Sequence, residues 1–383
     1  MKIVKVNELT PIQSGMLFQY MLTNDKSSYM GTEIFELEGN IDAGIFRSVL
    51  DKISDEYEVF RTNVIYDKID KPKSVVIDKR TVPFAVHKAV NDNAVKQFTD
   101  EINAEQFKKG FDIQRDSLIR LDLVVGENSS VLIFSFHHIL MDGYCAAMIA
   151  DIIMKNYGKM IGRQCDNDVE YVPFSTYQDW IVAQDMSKSC EYWKEYLKGI
   201  SSVQPLDLVQ FGSDKKKNIG HSSLTIEFTP LETQGLISIA SAGNATLNIC
   251  MQWLWGLTLC RNFSCDKAVF GTVVSYRPAE FDNAEQILGP MINTVPVVFA
   301  CNKDNPITEQ LKAFRKSFLD SMEHSWIGLG EISKTAEDCE NLIDHLFVYD
   351  NFPEMDFGSI KKNTGFQVKN FKLEERTEYA LTL

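Results

Sequence analysis

The sequence predicts an α/β protein built as two lobes, each with a mixed β-sheet and flanking helices. Three observations support this prediction. The chain has 383 residues, which is long for one hydrophobic core and suited to two lobes of ordinary size. Hydrophobic residues make up 44% and charged residues 24%, the proportions of a folded globular protein. Strand and helix patterns alternate in both halves, and a polar stretch at residues 162–170 separates them.

The first half of the chain carries clear strand and helix patterns. Apolar residues at helical spacing run through 45–53. Residues 131–136 form an apolar run interrupted only by Ser135, as expected of a strand buried on both faces, and an apolar helix at 144–157 follows. The other predicted elements of this half are a helix at 11–22 and strands at 32–38, 60–66 and 118–125.

The second half repeats this style without repeating the sequence. A polar loop at 199–220 precedes Leu224, Ile226 and Phe228, which alternate with polar residues as strand residues do. The other predicted elements are helices at 175–185, 189–197 and 247–260 and strands at 268–275 and 294–300. The two lobes are therefore predicted to join near residues 162–180.

Composition and charge exclude several classes of protein. The formal net charge is −14, and an acidic surface repels phosphate backbones, so we expect no nucleic-acid partner. No apolar run is long enough to cross a bilayer, and the N-terminus lacks the apolar core of a signal peptide. The eight cysteines include no C-x-x-C pair, which favours free thiols in the cytoplasm. The six histidines form no metal-ligand pattern, so we expect no metal.

The residues best suited to chemistry are HHILMDG at 137–143, where the predicted buried strand ends. Histidine has a pKa of about 6.5, so it can accept or donate a proton near neutrality. Adjacent strand residues point to opposite faces, so one of His137 and His138 is expected to face a substrate while the other packs inside. Asp142 could orient a histidine or pair with an arginine, and Gly143 allows close approach at a helix N-terminus. By themselves, these residues fit a structural hydrogen-bond cluster equally well.

The H-H-x-x-x-D-G pattern resembles the signature of nonribosomal peptide synthetase condensation domains, which belong to a superfamily that includes chloramphenicol acetyltransferase. Six further segments resemble the family's motifs in order, so the resemblance covers essentially the whole chain. Tyr57, Tyr276 and Met291 stand where the family usually has His, Gly and Phe. The segments are LTPIQSGMLF at 9–18, EVFRT at 58–62, YQDW at 177–180, FGTVVSYRP at 270–278, ILGPMINT at 287–294 and VYDNFP at 348–353.

This resemblance implies two chloramphenicol acetyltransferase-like lobes that form a V-shaped pseudo-dimer. We expect residues 1–170 to form the N-terminal lobe, which carries the histidine motif, and residues 171–383 to form the C-terminal lobe. The family continues beyond the segment at 379–383 with a further strand and helix, so we expect the second lobe to lack them. His138 is then expected near the middle of a channel between the lobes.

The resemblance also assigns roles within the catalytic element, which comprises His137, His138, Asp142 and Gly143. His138 would take a proton from the acceptor amine, or would hold the amine and the tetrahedral intermediate in place. His137 would be structural. Asp142 and Arg277 would form a bridge that braces the loop presenting His138.

Three further residues have alternative readings. Asn293 would hydrogen-bond near the tunnel or only support its loop. Ser275 would approach an oxyanion or simply end a strand. Cys145, at a helix start beside the histidines, could be a nucleophile, but the family uses no covalent intermediate.

The implied activity is amide-bond formation between a carrier-bound acyl or peptidyl thioester and a carrier-bound aminoacyl acceptor. No cofactor would be bound intrinsically, because substrates would arrive on the phosphopantetheine arms of upstream and downstream peptidyl carrier proteins. We expect a cytoplasmic monomer with an adjacent adenylation domain and no membrane partner. The lysines at 215–217 form a candidate basic patch for an acidic carrier, or a solvated loop.

Three other functions stay open. An epimerisation domain shares the scaffold but usually continues the motif with V-S-W, whereas Tyr144, Cys145 and Ala146 follow Gly143 here. An inactive recruitment domain tends to lose the second histidine, which this chain keeps. An acyltransferase that uses coenzyme A would differ in its donor.

Overall fold

The chain folds as the predicted mixture of strands and helices. A computed structural model describes residues 2–39, 41–165, 172–200, 222–278, 281–302, 304–336, 342–350, 357–375 and 379–383. The candidate basic patch at 215–217 lies outside the described residues, as do residues 351–353 of the last matching segment.

The chain forms two units, each assembled from separated segments. The first unit consists of Met1–Gln184, Arg277–Met291 and Asn351–Glu378, and the second of Asp185–Tyr276, Ile292–Asp350 and Tyr379–Leu383. The predicted lobes at 1–170 and 171–383 have one boundary, whereas these units exchange segments several times. Two segments from the second half of the chain, Arg277–Met291 and Asn351–Glu378, are grouped with the first unit. The assignment of lobes stays a prediction.

A mixed sheet forms the centre of the first unit. Among the described residues its strands are, in spatial order, β11 (Gln367–Glu375), β2 (Met30–Glu38), β7 (Ser129–His137), β6 (Ile119–Val125) and β5 (Phe84–Lys88). Neighbouring strands are antiparallel except β5 and β6, which are parallel. The edge strand β11 comes from the far end of the chain, a pairing that local sequence patterns do not predict.

Alternate residues of β7 pack on opposite faces of this sheet. Helices cover both faces: α2 (Ala43–Glu56), α3 (Asp92–Lys109), α4 (Gly143–Met160) and α11 (Phe357–Thr364). Phe134 and Phe136 share a core with buried residues of α2 and α4, while Ile133 packs with residues of α3. Because both faces are covered, residues 131–136 of β7 are apolar on both faces, with Ser135 as the one polar residue, rather than alternating.

A second sheet of the first unit lies near the N-terminus. Its described strands are, in spatial order, β1 (Ile3–Glu8), β4 (Lys73–Ile77) and β3 (Thr62–Ile65), and neighbouring strands are antiparallel. Helix α1 (Pro11–Thr23) follows β1 in the sequence, and helix α5 (Phe174–Val182) contacts β1. The strand predicted at 60–66 begins only at Thr62, because Glu58–Arg61 forms a short 3-10 helix. Buried Arg61 donates to the carbonyls of Ser54 and Ile77 and so fixes this turn.

The second unit has a smaller sheet. In its described part the strand order is β10 (Leu346–Phe347), β8 (Lys267–Ser275) and β9 (Ile292–Ala300). Its helices are α6 (Ser187–Tyr196), α7 (Pro230–Ala242), α8 (Leu247–Phe263), α9 (Ile307–Met322) and α10 (Leu329–Thr335). A Cβ at Gly256 of α8 would lie 2.3 Å from Phe299 Cγ, so glycine permits the close approach of α8 to β9.

The alternating residues Leu224, Ile226 and Phe228 do not form the predicted strand. Leu224, Ile226 and Phe228 are 87%, 73% and 52% exposed. No described strand pairs with the segment 222–229. Alternation produces a strand only where a neighbouring strand can accept its hydrogen bonds, and this segment lacks one among the described residues.

Candidate active site

The two histidines occupy the end of β7 and the residue after it. His137 pairs with Met30 of β2, and the backbone N–H of His138 donates to the carbonyl of Tyr29 at 2.8 Å. His137 is fully buried, whereas His138 keeps 9% of its surface exposed. The strand therefore holds both rings on a rigid element, and His138 is the histidine with access to solvent.

His137 is held in one neutral tautomer. The backbone N–H of Ile139 donates to Nδ1 of His137 at 3.0 Å, so the ring carries its proton on Nε2. Burial, with a further contribution from His138, lowers the pKa of His137 to about 3. The rings of Tyr20 and Phe111 pack edge-on against it. These contacts fix the His137 ring inside the core.

His138 is held by hydrogen bonds at both ring nitrogens. Nδ1 lies 3.2 Å from the carbonyl oxygen of Met141, and Nε2 lies 3.0 Å from Oε1 of Glu375. The ring also packs edge-on against Phe136, with 5.0 Å between ring centroids. These contacts fix both the position and the orientation of the imidazole.

The protonation of His138 depends mainly on Glu375. Burial by itself would lower the pKa of His138, but the Glu375 carboxylate raises it, with smaller contributions from Met141 and Asp142, and the net shift is upward. Burial opposes ionisation of Glu375, yet the charge on His138 holds the pKa of this carboxyl below its usual value. Both shifts describe an imidazolium paired with a carboxylate.

A second carboxyl group, Glu33 of β2, lies close to this pair. Glu33 is only 3% exposed, and its Oε2 atom has no hydrogen-bond partner among the described residues. Burial and the nearby Glu375 carboxylate raise the pKa of Glu33 to about 8, so this group is mostly neutral at pH 7.

Asp142 caps the helix that follows the histidines. Its Oδ1 accepts from the backbone N–H of Cys145 at 2.9 Å, at the start of α4, which begins with Gly143. Its Oδ2 accepts from the N–H of Met291 at 3.0 Å and from Nη2 of Arg277 at 3.4 Å. None of the described hydrogen bonds of Asp142 goes to His138. The carboxylate therefore fixes the loop rather than the imidazole.

Arg277 completes the bridge from a distant part of the sequence. Its guanidinium lies 4.4 Å from the centroid of the Tyr144 ring, and Nη1 donates to the carbonyl of Ala284 at 2.6 Å. The stacked and hydrogen-bonded geometry suits arginine better than lysine. Asp142 and Arg277 thus meet as expected.

Cys145 is placed as a buried structural thiol. Its Sγ atom lies 3.1 Å from the carbonyl of Gly289 and 3.2 Å from the N–H of the same residue. Burial and the Asp142 charge raise the pKa of this thiol, which disfavours the thiolate that a nucleophile requires.

Two other matching segments meet the histidine loop. Nε2 of Gln13, in α1, donates to the carbonyl of Ile139 at 2.9 Å. Nε2 of Gln178, in α5, donates to Oε1 of Gln13 at 3.1 Å. The segments at 9–18 and 177–180 therefore support the loop through buried amides.

Comparison with known proteins identifies the family to which this chain belongs. The family model described as Condensation domain matches residues 4–383. The chain belongs to the condensation domain family. The matched range includes every motif segment and both units, so this condensation domain is recognised over its whole length rather than through one motif.

Curated relatives of this condensation domain are much longer proteins. Gramicidin S synthase 2 of Brevibacillus brevis is 31% identical over 388 residues, which cover 98% of this chain and 8% of the synthase. Bacitracin synthase 3 of Bacillus licheniformis is 29% identical over 386 residues, which cover 100% of this chain and 6% of the synthase. The chain thus spans less than a tenth of either relative.

Solved structures show the same fold. The condensation domain from Monacolin K polyketide synthase aligns with a TM-score of 0.78 and 16% identity, covering 100% of this chain and 89% of that one. The first condensation domain of the calcium-dependent antibiotic synthetase aligns with a TM-score of 0.74 and 14% identity, covering 98% and 85%. A four-domain nonribosomal peptide synthetase aligns with a TM-score of 0.73 and 18% identity, covering 93% and 27%.

The remaining predicted site residues belong to the second unit. Asn293 is buried in β9, and its side-chain amide donates to the carbonyls of Ser325 and Ile327 at 2.7 and 2.5 Å. Ser275 is an exposed residue at the end of β8. The first unit therefore brings together His137, His138, Asp142, Gly143 and Arg277, and the second unit carries Ser275 and Asn293.

Sequence reasoning missed the two glutamates beside His138. Glu375 lies on β11 and Glu33 on β2, outside the motif segments. Within the described residues, no group of His, Cys, Asp and Glu could hold a metal ion, and no helix is long and apolar enough to cross a membrane. The one available signal was Glu33, a glutamate next to the apolar residues Ile34 and Phe35 in a strand, and it does not identify its partner.

Proposed function

We propose that this condensation domain forms an amide bond between a carrier-bound acyl or peptidyl thioester and a carrier-bound aminoacyl acceptor. Membership of the condensation domain family supports the reaction class. The observation that carries the assignment is the orientation of His138. The Met141 carbonyl fixes Nδ1, so a substrate can exchange a proton only at Nε2, which meets the partly exposed Glu375 carboxylate.

The reaction requires a defined route for three protons. The acceptor nitrogen arrives as an ammonium, and one proton must leave before its lone pair can attack the thioester carbon. The C–N bond forms, the C–S bond breaks, and the departing sulfur leaves as a thiol. One ammonium proton stays on the amide, one goes to the thiol and one goes to solvent. His138 accepts the protons that leave the nitrogen and gives one of them to the departing sulfur.

The other site residues position His138 or stabilise the site. Asp142, Gly143 and Arg277 hold the loop and the start of α4, while His137 anchors the strand end. For Ser275, which is exposed at the end of β8, we propose the strand-end role. The side-chain amide of Asn293 is proposed to support the loop that contains Ser325 and Ile327, whose carbonyls accept its hydrogen bonds.

The substrates are proposed to arrive on the phosphopantetheine arms of upstream and downstream peptidyl carrier proteins. The length of the curated relatives, and a structural neighbour with four domains, support such partners. We propose further that an adenylation domain lies adjacent in the chain, that no cofactor is held by the domain itself, and that the domain acts as a cytoplasmic monomer.

A comparison of donors tests the reaction class. The chain is incubated with an aminoacyl-loaded acceptor carrier and either an aminoacyl-loaded donor carrier or the matching aminoacyl-coenzyme A. We expect amide product by mass spectrometry with the carrier donor. Equal or faster product formation from the coenzyme A donor would instead identify a soluble-substrate acyltransferase, and epimerised acceptor without amide would identify an isomerase.

His138→Ala tests the catalytic role. We expect the rate of amide formation to fall by ~10²–10⁴-fold, because general acid–base catalysis contributes about this much. The variant should remain folded, with a lower melting temperature because the partly exposed Glu375 carboxylate loses its partner. His87→Gln is the control, because His87 lies on the edge strand β5 and bonds Asp122 of the neighbouring strand β6 rather than any residue of the histidine loop. Wild-type rates in a folded His138→Ala protein would exclude the role.

A further inference from the structure

Both ring nitrogens of His138 face oxygen acceptors. Nδ1 lies 3.2 Å from the Met141 carbonyl and Nε2 lies 3.0 Å from Oε1 of Glu375. A neutral imidazole has one N–H and can donate to only one of these oxygens. An imidazolium has two N–H groups and can donate to both oxygens, so this geometry fits an imidazolium beside a carboxylate. In that state His138 cannot accept another proton.

An acceptor amine must reach the Nε2 position that Glu375 occupies. The Nδ1 side is closed, because the Met141 carbonyl belongs to the backbone of the loop. The Glu375 side chain, by contrast, is 33% exposed and lies on an edge strand of the described sheet. Its carboxylate can turn toward an incoming group without breaking a backbone hydrogen bond. A carboxylate at this place is complementary to a primary ammonium.

We propose that Glu375 binds the ammonium group of the acceptor, and that this contact takes the carboxylate from His138 and frees Nε2 to act as a base. The inference deepens the proposed amide-forming function and rests on it. The ligand class is a primary α-ammonium on an aminoacyl thioester. The donor thioester makes no use of this contact.

Strand register places a second carboxyl group on the same side of the sheet. Glu375 lies opposite Gly31, and Leu373 lies opposite Glu33. Residues that face each other across antiparallel strands share a face, as do residues two apart on one strand. Glu33 and Glu375 therefore lie on one face, and electrostatic coupling links Glu33 to both Glu375 and His138.

Glu33 would help the group formed by His138, Glu375 and Glu33 to bind an added positive charge. Its Oε2 atom is buried and has no hydrogen-bond partner among the described residues. A buried acceptor without a partner lowers the stability of the fold unless a donor binds to it. An ammonium docked at Glu375 would supply a donor and a positive charge beside it. A neutral buried carboxyl group next to an ion pair is thus suited to stabilise a bound cation.

The charge balance of docking is simple. Before docking, His138 is an imidazolium, Glu375 a carboxylate and Glu33 a neutral acid. When an ammonium pairs with Glu375, the imidazolium loses its counter-ion and releases one proton to solvent. The neutral His138 then accepts a proton from the ammonium, and the amine attacks the thioester. As the C–S bond breaks, His138 gives this proton to the departing sulfur and takes the second proton that the nitrogen loses, so it ends as an imidazolium again. No oxidant, metal or other co-reactant takes part.

Several titratable or charged groups face His138 directly or through one neighbour. Glu375 approaches from β11, Glu33 from β2 and Asp142 from the start of α4, while His137 adjoins it on β7. Arg277 and Cys145 act through their contacts with Asp142. Since Glu375 is the group that raises the pKa of His138 most, its loss should lower this pKa.

Glu375→Gln tests the inference by kinetics. We expect the KM for an aminoacyl acceptor to rise about tenfold or more, because a charge-assisted hydrogen bond is lost, while the KM for the donor is unchanged. The acid limb of the pH–rate profile should move to lower pH, because His138 loses the carboxylate that favours its protonated form. Glu375→Asp, which keeps the charge, should restore part of the acceptor affinity.

Glu374→Gln is the matched control. Glu374 precedes Glu375 on β11, and its carboxylate accepts from Nδ2 of Asn103. We expect both KM values and the pH profile of this variant to match the wild type. An unchanged acceptor KM and an unmoved acid limb in folded Glu375→Gln would overturn the inference, and so would equal losses for donor and acceptor.

A titration of His138 by NMR separates this inference from the proposed function. Saturating alaninamide, which carries an ammonium, should lower the pKa of His138 in the wild type, whereas N-acetylalaninamide, which carries none, should not. An unchanged His138 pKa with alaninamide would contradict ammonium docking. If no amide forms in any assay, the proposed function fails, while this titration still decides whether Glu375 binds an ammonium.

Discussion

At the residue scale, the Asp142 carboxylate joins three separate parts of the chain. It caps α4 through the N–H of Cys145, accepts from the N–H of Met291 and pairs with Arg277. All of these partners are fixed structural groups, and the side chain of Asp142 is only 2% exposed. We therefore expect changes here to affect folding, with catalysis reduced as a consequence.

The variants Asp142→Ala and Arg277→Ala test this bridge. Each single change leaves its partner's charge poorly solvated, which we expect to lower the free energy of unfolding by about 3–5 kcal/mol. Asp142→Ala should cost more than Arg277→Ala, because it also removes a helix cap. The double variant should cost less than the sum of the two, as measured by denaturant unfolding.

Strictly additive losses in this cycle would contradict the bridge. A directly catalytic Asp142 would instead give an unchanged unfolding curve and a pure loss of rate. Asp142→Asn separates the two contributions, since its side chain can still cap α4 but carries no charge for Arg277.

The site residues were predictable from sequence to different degrees. His138, Asp142 and Arg277 lie in short motifs whose order along the chain resembles one family, so the meeting of Asp142 and Arg277 was expected and found. Glu375 and Glu33 were not predicted, because their position depends on pairing between strands at opposite ends of the chain. No local pattern encodes that register.

At the element scale, close packing of β2 against β7 places the His138 ring. Gly31 lies opposite Phe136, and a Cβ at this glycine would lie 2.6 Å from Cζ of the Phe136 ring. That ring packs edge-on against His138. A side chain at position 31 would therefore move Phe136 and, through it, the imidazole.

Gly31→Ala tests this packing. We expect a loss of about 1–3 kcal/mol in unfolding free energy, the usual cost of overpacking, together with reduced amide formation. Gly15→Ala is the control, because Gly15 lies within α1 and a Cβ there meets no atom within 4 Å. It should be neutral or stabilising by about 0.5–1 kcal/mol. Equal melting temperatures for Gly31→Ala and the wild type would contradict the packing argument.

Local patterns predicted elements well where burial was strong. The structure confirms the apolar helices predicted at 144–157 and 247–260 as α4 and α8, and the buried strand at 131–136 as β7. The same reasoning failed at 224–228, where alternation predicted a strand but no described strand accepts its hydrogen bonds. Alternation indicates which side chains share a face of a strand, but it does not show that a neighbouring strand is present.

At the scale of the whole molecule, neither unit is one continuous stretch of chain. The first unit takes up Arg277–Met291 and Asn351–Glu378 in addition to its N-terminal segment. The former segment supplies Arg277 and the Met291 N–H to Asp142, and the latter contains β11. Both are parts of the site described above, so the N-terminal segment alone holds an incomplete site.

A fragment of residues 1–184 tests this dependence. We expect it to lack a cooperative thermal transition, because β2 would lose its β11 neighbour and Asp142 would keep a buried charge without Arg277. Near-ultraviolet circular dichroism and calorimetry measure the outcome, with the full chain as the reference. A fragment that melts cooperatively near the temperature of the full chain would show that the added segments are dispensable.

The place of β11 also has a consequence for biosynthesis. A ribosome makes β2 before β11, and residues 39–366 lie between the two strands, so the nascent protein exposes the open edge of β2 while this intervening stretch is made. Such an edge is a template for association with other extended chains, and it is a natural target for a chaperone until the last strand arrives. The same event delivers Glu375 to His138. Completion of the sheet and completion of the site therefore coincide in time.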